Sequence, residues 1–524
     1  MKNNHFKNPY ILGGLVIIFI AGLIVFFFQQ SFLTIDGDLT YHLATSQSFV
    51  REGGVTLWEN WDSLPLGRPH LYPPLVHLLL AVPVYLGIAF LTTIKLFSGL
   101  GIIFGLLLSW FGVTKLFGAR AGFFYLGLVT SFVIFIKLLG VTVPASLVLM
   151  LSPFLIVLTK RDNILPPILL LTLLLYTHMI FPWLVIGAFF IWALCNRQYF
   201  QKTLRIILVA VCLYLPWLIH IASNLEYLRY FGPNYGQNIA VTATYTTNLS
   251  IFFLFVVSLS ILFNDWKKNI INTDISYFLA LVIVSLPIAY FEYSRYWYSI
   301  GIWPMMVVII YTLARIPRRR PSSIIFSTLF ILTLIISFNV KIQAGEFSFS
   351  RTHHLLLEAS LPQSPNYIGN YTSAHFNQAN LEIADYIRKN TPSDAVIQSY
   401  AHLLDKEEYF DHRLYILPQL FVALSDRVMG NLRSPEMNWQ EGIEIEQAGI
   451  VLLNTDQLDD FKNTNFQLVF KTKEGLAVLI NNHPAPLTLP DAQVVMPLYL
   501  AWSLLALVFG YLAYHIRRSI ISSI

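Results

Sequence analysis

Residues 11–43 read ILGGLVIIFIAGLIVFFFQQSFLTIDGDLTYHL: an apolar run from Ile11 to Phe28 gives way to two carboxylates, Asp36 and Asp38, and then to Tyr41 and His42. A run of this length crosses a hydrocarbon layer of roughly 30 Å as a helix rising about 1.5 Å per residue. It is too long for the core of a secretory signal and no small-residue cleavage site follows, so it is read as a retained first helix. The polar residues behind it then stand at a membrane surface.

Working outward, 56% of the chain is hydrophobic and only 12% charged, whereas soluble domains carry about 25% charge. Further apolar spans are expected near Leu96–Thr114, Ala121–Leu139, Val141–Leu158, Leu204–Ala222, Leu249–Phe263, Ile275–Phe291, Ile300–Ala314, Ile324–Val340 and Val494–Tyr514. Two stretches, Tyr72–Leu91 and Ile164–Leu194, read either as single helices or as re-entrant and hairpin segments. The net charge of +5 comes from short Lys and Arg blocks between spans, not from a basic face, so nucleic acid is excluded as a partner. Cys195 and Cys212 lie in or beside apolar segments and give no disulfide framework.

Short loops rich in Lys and Arg stay cytoplasmic. If Tyr72–Leu91 does not cross, Lys115, Arg120, Lys160 and Arg161 share the inner side with Arg197, Lys202, Arg205, Lys267, Lys268, Arg315–Arg320, Arg517 and Arg518. Ile164–Leu194 is then a hairpin with His178 at its outer tip. This arrangement places both termini in the cytoplasm. It also divides the chain into a multi-span region 1–340 with a first outer loop 29–71, an outer domain 341–491, and a last helix with its tail, 492–524. In the outer domain, Leu381, Ala384 and Ile387 mark a helix stopped by Thr391 and Pro392, and Ala395–Gln398, Ile450–Leu453, Phe466–Lys471 and Leu476–Ile480 read as strands. The expected class is an α-helical polytopic membrane protein of about twelve spans with a small α/β extracytoplasmic domain.

Chemistry concentrates in the first outer loop. Asp36 and Asp38 suit a general base, or a hard-oxygen site for a divalent cation (Mg or Mn), next to lipid headgroups. The plainer reading is a helix-capping or solvated Asp. Further along come Arg68, His70, Tyr72, Pro73, Pro74 and His77; the Pro pair fixes a helix start.

The pattern Asp38-x-x-Tyr41-His42, followed about thirty residues later by Gly67-Arg68-Pro69-His70-Leu-Tyr72-Pro73-Pro74-Leu75-Val-His77, resembles the first outer loop of GT-C membrane glycosyltransferases. It is most similar to prokaryotic relatives of the oligosaccharyltransferase catalytic subunit, and more loosely to the protein O-mannosyltransferase and aminoarabinose transferase branches. The resemblance implies transfer of a sugar from a polyprenyl-phosphate-linked donor to a glycan, lipid or protein acceptor outside a prokaryotic plasma membrane. It puts Asp38 in the active site, with Asp36 as a weaker companion. The chain departs from oligosaccharyltransferases in lacking an acid around Gly140 and a Trp-Trp-Asp motif.

A phosphate leaving group calls for a cation at the outer interface. Arg295, in Glu292-Tyr-Ser-Arg-Tyr-Trp-Tyr298, fits this role through the resemblance; by composition alone it is an interfacial anchor. Tyr41, His42, Arg68, His70, Tyr72, His77, His178 and Glu226 complete the residues expected to meet substrate. Two rival classes are a lipid or polysaccharide transporter and a non-catalytic GT-C-like scaffold subunit. A transporter places polar residues along a path through the membrane, whereas here they gather at one face.

Overall fold

The computed structural model describes residues 8–27, 37–62, 64, 66–132, 144–227, 245–268, 272–291, 301–316, 327–331, 338–343, 346–351, 378–392, 394–399, 422, 424–425, 427–429, 447–462, 464–473, 475–484 and 487–521. The opening run forms α1 (Pro9–Phe27). The first loop then folds as α2 (Gly37–Glu52), β1 (Gly54–Thr56), β2 (Trp58–Glu59) and β3 (Arg68–Pro69), and leads into α3 (Leu75–Tyr85). The helical region continues through α4 (Phe90–Phe117), α5 (Ala119–Ser131), α6 (Pro144–Thr159), α7 (Leu165–Leu175), α8 (Phe181–Cys195) and α9 (Phe200–Ala222). After β4 (Tyr245–Asn248) come α10 (Leu249–Lys267), α11 (Ile275–Phe291) and α12 (Trp303–Arg315). Among the described residues four helices, within Thr92–Phe117, Arg197–Ala222, Ser250–Lys267 and Leu498–Arg518, are long and apolar enough to cross a membrane, and seven shorter apolar helices accompany them.

The two ambiguous stretches resolve together. With 11 residues, α3 rises roughly 16 Å, about half the hydrocarbon thickness, before the chain breaks at Leu86–Ala89 and restarts as α4. Ile164–Leu194 is the hairpin α7–α8 with His178 at its tip. Contacts at one end of the bundle agree with this reading. Lys160 Nζ meets Asp274 Oδ2 at 2.5 Å, Lys202 Nζ donates to the Arg161 carbonyl, Asn272 Nδ2 donates to the Leu116 carbonyl at 3.2 Å, and Asn163 Nδ2 donates to Tyr511 Oη at 3.0 Å. Lys160 and Arg161 therefore share a face with Lys202 and the end of the last helix, as the charge pattern requires.

The opposite face carries β5 (Phe338–Gln343), β6 (Glu346–Arg351), α13 (Gln378–Asn390), β7 (Val396–Ser399), β8 (Val428–Met429), β9 (Ile450–Asn454), β10 (Phe466–Lys471), β11 (Leu476–Asn481) and β12 (Val494–Pro497), after which the final helix α14 (Leu498–Ile521) runs back to the Lys160 end, where Tyr511 meets Asn163. The order β10-β11-β9-β7-β8 makes a mixed five-stranded sheet, antiparallel through β10, β11 and β9 and parallel at β7. Its central strand reads Ile-Val-Leu-Leu because both faces are covered, and alternate residues of a strand point to opposite faces. Ile450 and Leu452 pack with Ile383, Ala384 and Ile387 of α13. Val451 and Leu453 belong instead to a buried cluster with Leu43, Trp61, Leu64, Val76 and Leu80 of the first loop and α3. The α/β domain thus rests on the first loop.

Two expected spans end differently. Phe338–Gln343 is a strand paired with β4 and β6, so the segment expected as Ile324–Val340 gives way to sheet at Phe338; the sequence Phe-Asn-Val-Lys-Ile-Gln alternates with period two. Val494–Pro497 pairs antiparallel with β1, so the last helix begins at Leu498 and not at Val494. At Gly54 a Cβ would lie 2.5 Å from the Met496 carbonyl oxygen, so a side chain there would push the strands apart.

Candidate active site

The site is built on the first loop, whose short hairpin β2–β3 pairs Trp58 with Pro69 and Glu59 with Arg68. The hairpin closes through Gly67, at φ +67, where a Cβ would meet Trp58 Nε1 at 2.6 Å and the Glu59 carbonyl at 2.7 Å. Strand alternation sends Trp58 outward, with its indole N–H on the Leu66 carbonyl at 2.9 Å, and sends Glu59 inward, where it is 1% exposed.

Glu59 is the hub. Its Oε1 accepts from Tyr41 Oη at 2.5 Å and lies 2.7 Å from His70 Nδ1; its Oε2 accepts from Arg68 Nε at 2.6 Å. Arg68 also reaches Asp62 Oδ2 at 3.0 Å and lies over the Tyr41 ring at 5.2 Å. Burial pushes the Glu59 carboxyl upward, but the Arg68 charge and the hydrogen bonds from His70 and Tyr41 outweigh it and hold the group at about 2. Burial and the Glu59 charge raise the Tyr41 phenol. A carboxylate only accepts, so His70 Nδ1 is the donor, and its Nε2 is buried without a hydrogen-bond partner among the described residues.

Above this hub lies a layer of rings. His42 Nδ1 and His77 Nε2 are 2.7 Å apart, and the His77 ring sits 5.0 Å from that of His70. Tyr72 lies edge-on to His42 at 4.9 Å and to His178 at 5.8 Å. Burial, then the His70 charge, lowers His42 to about 3 against the opposing pull of Glu59, so its ring is neutral near pH 7. The wall is closed by α9, where Trp217 Nε1 donates to the Leu71 carbonyl at 3.4 Å and His220 Nε2 donates to the His70 carbonyl at 3.1 Å.

Six of the residues named from sequence, Tyr41, His42, Arg68, His70, Tyr72 and His77, are therefore brought together. Asp38 lies in the first turn of α2, three and four residues before Tyr41 and His42, which are adjacent positions on one helical face. His178 borders the layer, but its Nδ1 accepts the backbone N–H groups of Ile180 at 3.1 Å and Phe181 at 3.3 Å, so it also caps the start of α8. Glu226 does not join the cluster: it is exposed in the turn Leu225–Tyr227, whose Tyr227 lies edge-on to Trp58 at 6.0 Å. Asp36 and Arg295 lie outside the described residues.

Glu59 and Asp62 escaped the sequence reading. The available signal was a pair of acids and an Arg within the ten positions from Glu59 to Arg68, a combination that burial would force to pair. Among the described residues no group of three or more His, Cys, Asp or Glu side chains is placed to hold a metal ion.

No protein-family model matches the chain, and no curated protein sequence does. Solved structures do. ArnT from Cupriavidus metallidurans bound to undecaprenyl phosphate is 12% identical, covering 92% of this chain and 99% of ArnT with a TM-score of 0.52. Its apo state gives 13% identity over the same shares and a TM-score of 0.51. The archaeal oligosaccharyltransferase AglB from Archaeoglobus fulgidus, in complex with an inhibitory peptide and a dolichol-phosphate, is 11% identical over 87% of this chain and 70% of AglB, with a TM-score of 0.50. At these identities the likeness is one of fold.

Proposed function

We propose that this protein is a membrane glycosyltransferase that moves a sugar from a polyprenyl-phosphate-linked donor to an acceptor at the face carrying the first loop and the α/β domain. The observation that carries the reading is the convergence of Tyr41, His42, Tyr72 and His77 beside the turn that holds Asp38, within a fold shared over 92% of the chain with ArnT, whose structure contains undecaprenyl phosphate. The Lys and Arg pattern supports cytoplasmic termini in a prokaryotic plasma membrane.

In this reading the Asp38 carboxylate takes the proton of the acceptor O–H or N–H. The acceptor atom bonds to the anomeric carbon, the bond from that carbon to the phosphate oxygen breaks, and the electron pair leaves on the polyprenyl phosphate. Arg295 is assigned to the charge developing on that phosphate. The rings of Tyr41, His42, Tyr72 and His77 present one polar and aromatic wall, and neutral His42 adds no cation to compete for Asp38. Arg68, with Glu59 and Asp62 as partners, braces the wall from behind.

The test uses the full chain in detergent with an undecaprenyl-phosphate-linked sugar pool. Asp38→Asn is nearly isosteric and removes the base, so transfer should fall to background while the protein stays folded and binds donor. Arg295→Ala should lose donor binding and Arg295→Lys keep part of it. Undiminished transfer by Asp38→Asn would refute the assignment of the base. A parent that binds donor but transfers nothing would favour the scaffold reading.

A further inference from the structure

We propose that Glu59 is the positioning residue of this site: it ties the first turn of α2, and with it Asp38, to the β2–β3 hairpin through the Tyr41 hydroxyl. The inference rests on the assignment of Asp38 as the base.

Three donors from separate places converge on one carboxylate: Tyr41 Oη at 2.5 Å, Arg68 Nε at 2.6 Å and His70 Nδ1 at 2.7 Å. The two ends of this knot differ. Arg68 and His70 belong to the hairpin side, where Glu59 faces Arg68 in register, Gly67 closes the turn, and the His70 N–H donates to the Leu57 carbonyl at 2.8 Å. That end is fixed by backbone. Tyr41 alone among the three donors belongs to α2, where it follows Asp38 by three residues. The Tyr41–Glu59 bond is therefore the adjustable end, and it sets how the Asp38 turn stands relative to the loop.

The chemistry requires an acid at position 59. A carboxylate offers acceptors only, so it serves three donors at once, whereas a carboxamide would turn an NH2 toward one of them. Burial sharpens the effect: Glu59 is 1% exposed and His70 fully buried, so a donor that loses this partner finds little water to replace it.

Tyr41→Phe in the full chain cuts the tie and leaves the hairpin untouched. Expected are a fall in kcat of about tenfold or more, an unchanged donor KM, and faster hydrogen exchange at the amides of Tyr41 to Ala44 alone, which bond to the first-turn carbonyls of α2. Glu59→Gln should lower kcat by about 10²-fold, the scale of a misplaced reacting group. Glu59→Asp should recover part of the loss, and Glu59→Gln combined with Tyr41→Phe should be no worse than Glu59→Gln alone, since both act through one bond. Parental kcat and exchange in Tyr41→Phe, or losses that multiply in the double variant, would overturn the proposal. If Glu59→Gln does not fold, Tyr41→Phe decides by itself. Should the parent show no transfer, the functional reading fails, while the exchange measurement still decides whether Tyr41 anchors the turn.

Discussion

The first loop and the α/β domain each contain a buried arginine, and their described partners differ. Arg68 lies between the carboxylates of Glu59 and Asp62. Arg427 instead gathers neutral oxygens: the carbonyls of Arg388 at 2.9 Å, Thr391 at 2.7 Å and Ser425 at 3.0 Å, with Thr391 Oγ1 at 3.1 Å. It closes the C-terminal end of α13, where the helix dipole favours a cation. The difference teaches what each charge does. In the domain the guanidinium finishes a helix. In the loop it allows the buried Glu59 to remain ionised, and that carboxylate then holds Tyr41 and His70.

Removing each arginine breaks the comparison most directly. Arg68→Met leaves two buried carboxylates without their cation, and the expected cost is about 3–5 kcal/mol, concentrated in the loop and accompanied by loss of transfer. Chemical denaturation together with the sugar-transfer assay measures both. A variant of parental stability and activity would show that the two acids do not depend on Arg68.

Acid should separate the regions next. The His42 imidazole is depressed from 6.5 to about 3, so the unfolded chain binds its proton first, and the stability His42 contributes is complete above pH 6.5 and lost as pH falls toward 3. Glu59 is depressed from 4.5 to about 2, which adds a second loss between those values. Among the described residues the charged side chain buried in the α/β domain is Arg427, which does not titrate in this range. Hydrogen exchange followed from pH 7 to 4 should show loop protection falling ahead of β9 and β11. Equal loss in both regions would remove the distinction.

The smallest effect is expected from Arg427→Met. It leaves several carbonyls at the end of α13 without a donor and should cost about 2 kcal/mol of domain stability. Because the change lies on the side of the sheet away from the first loop, kcat should stay within twofold of the parent. A large fall in kcat at unchanged stability would mean that α13 and the loop are coupled through the sheet.

Much of this architecture is written locally. Apolar length marks the helices and the α7–α8 hairpin, because the hydrocarbon layer accepts only segments that satisfy their own backbone. Period-two alternation and continuous apolar runs likewise mark β7, β9, β10 and β11, each found within a residue or two of its expected place. The loop motif also named Tyr41, His42, Arg68, His70, Tyr72 and His77 as residues expected to meet substrate, and folding brings them together. What the sequence left open depends on which distant groups meet. Nothing local distinguishes Arg68 as a substrate ligand from Arg68 as a brace, and the acid pair beside it does not single out Glu59 as the hub, because a carboxylate's role follows from the donors that surround it once water is excluded. Those donors come from α2, the β2–β3 hairpin and the residue after it, and folding alone brings them onto two oxygens.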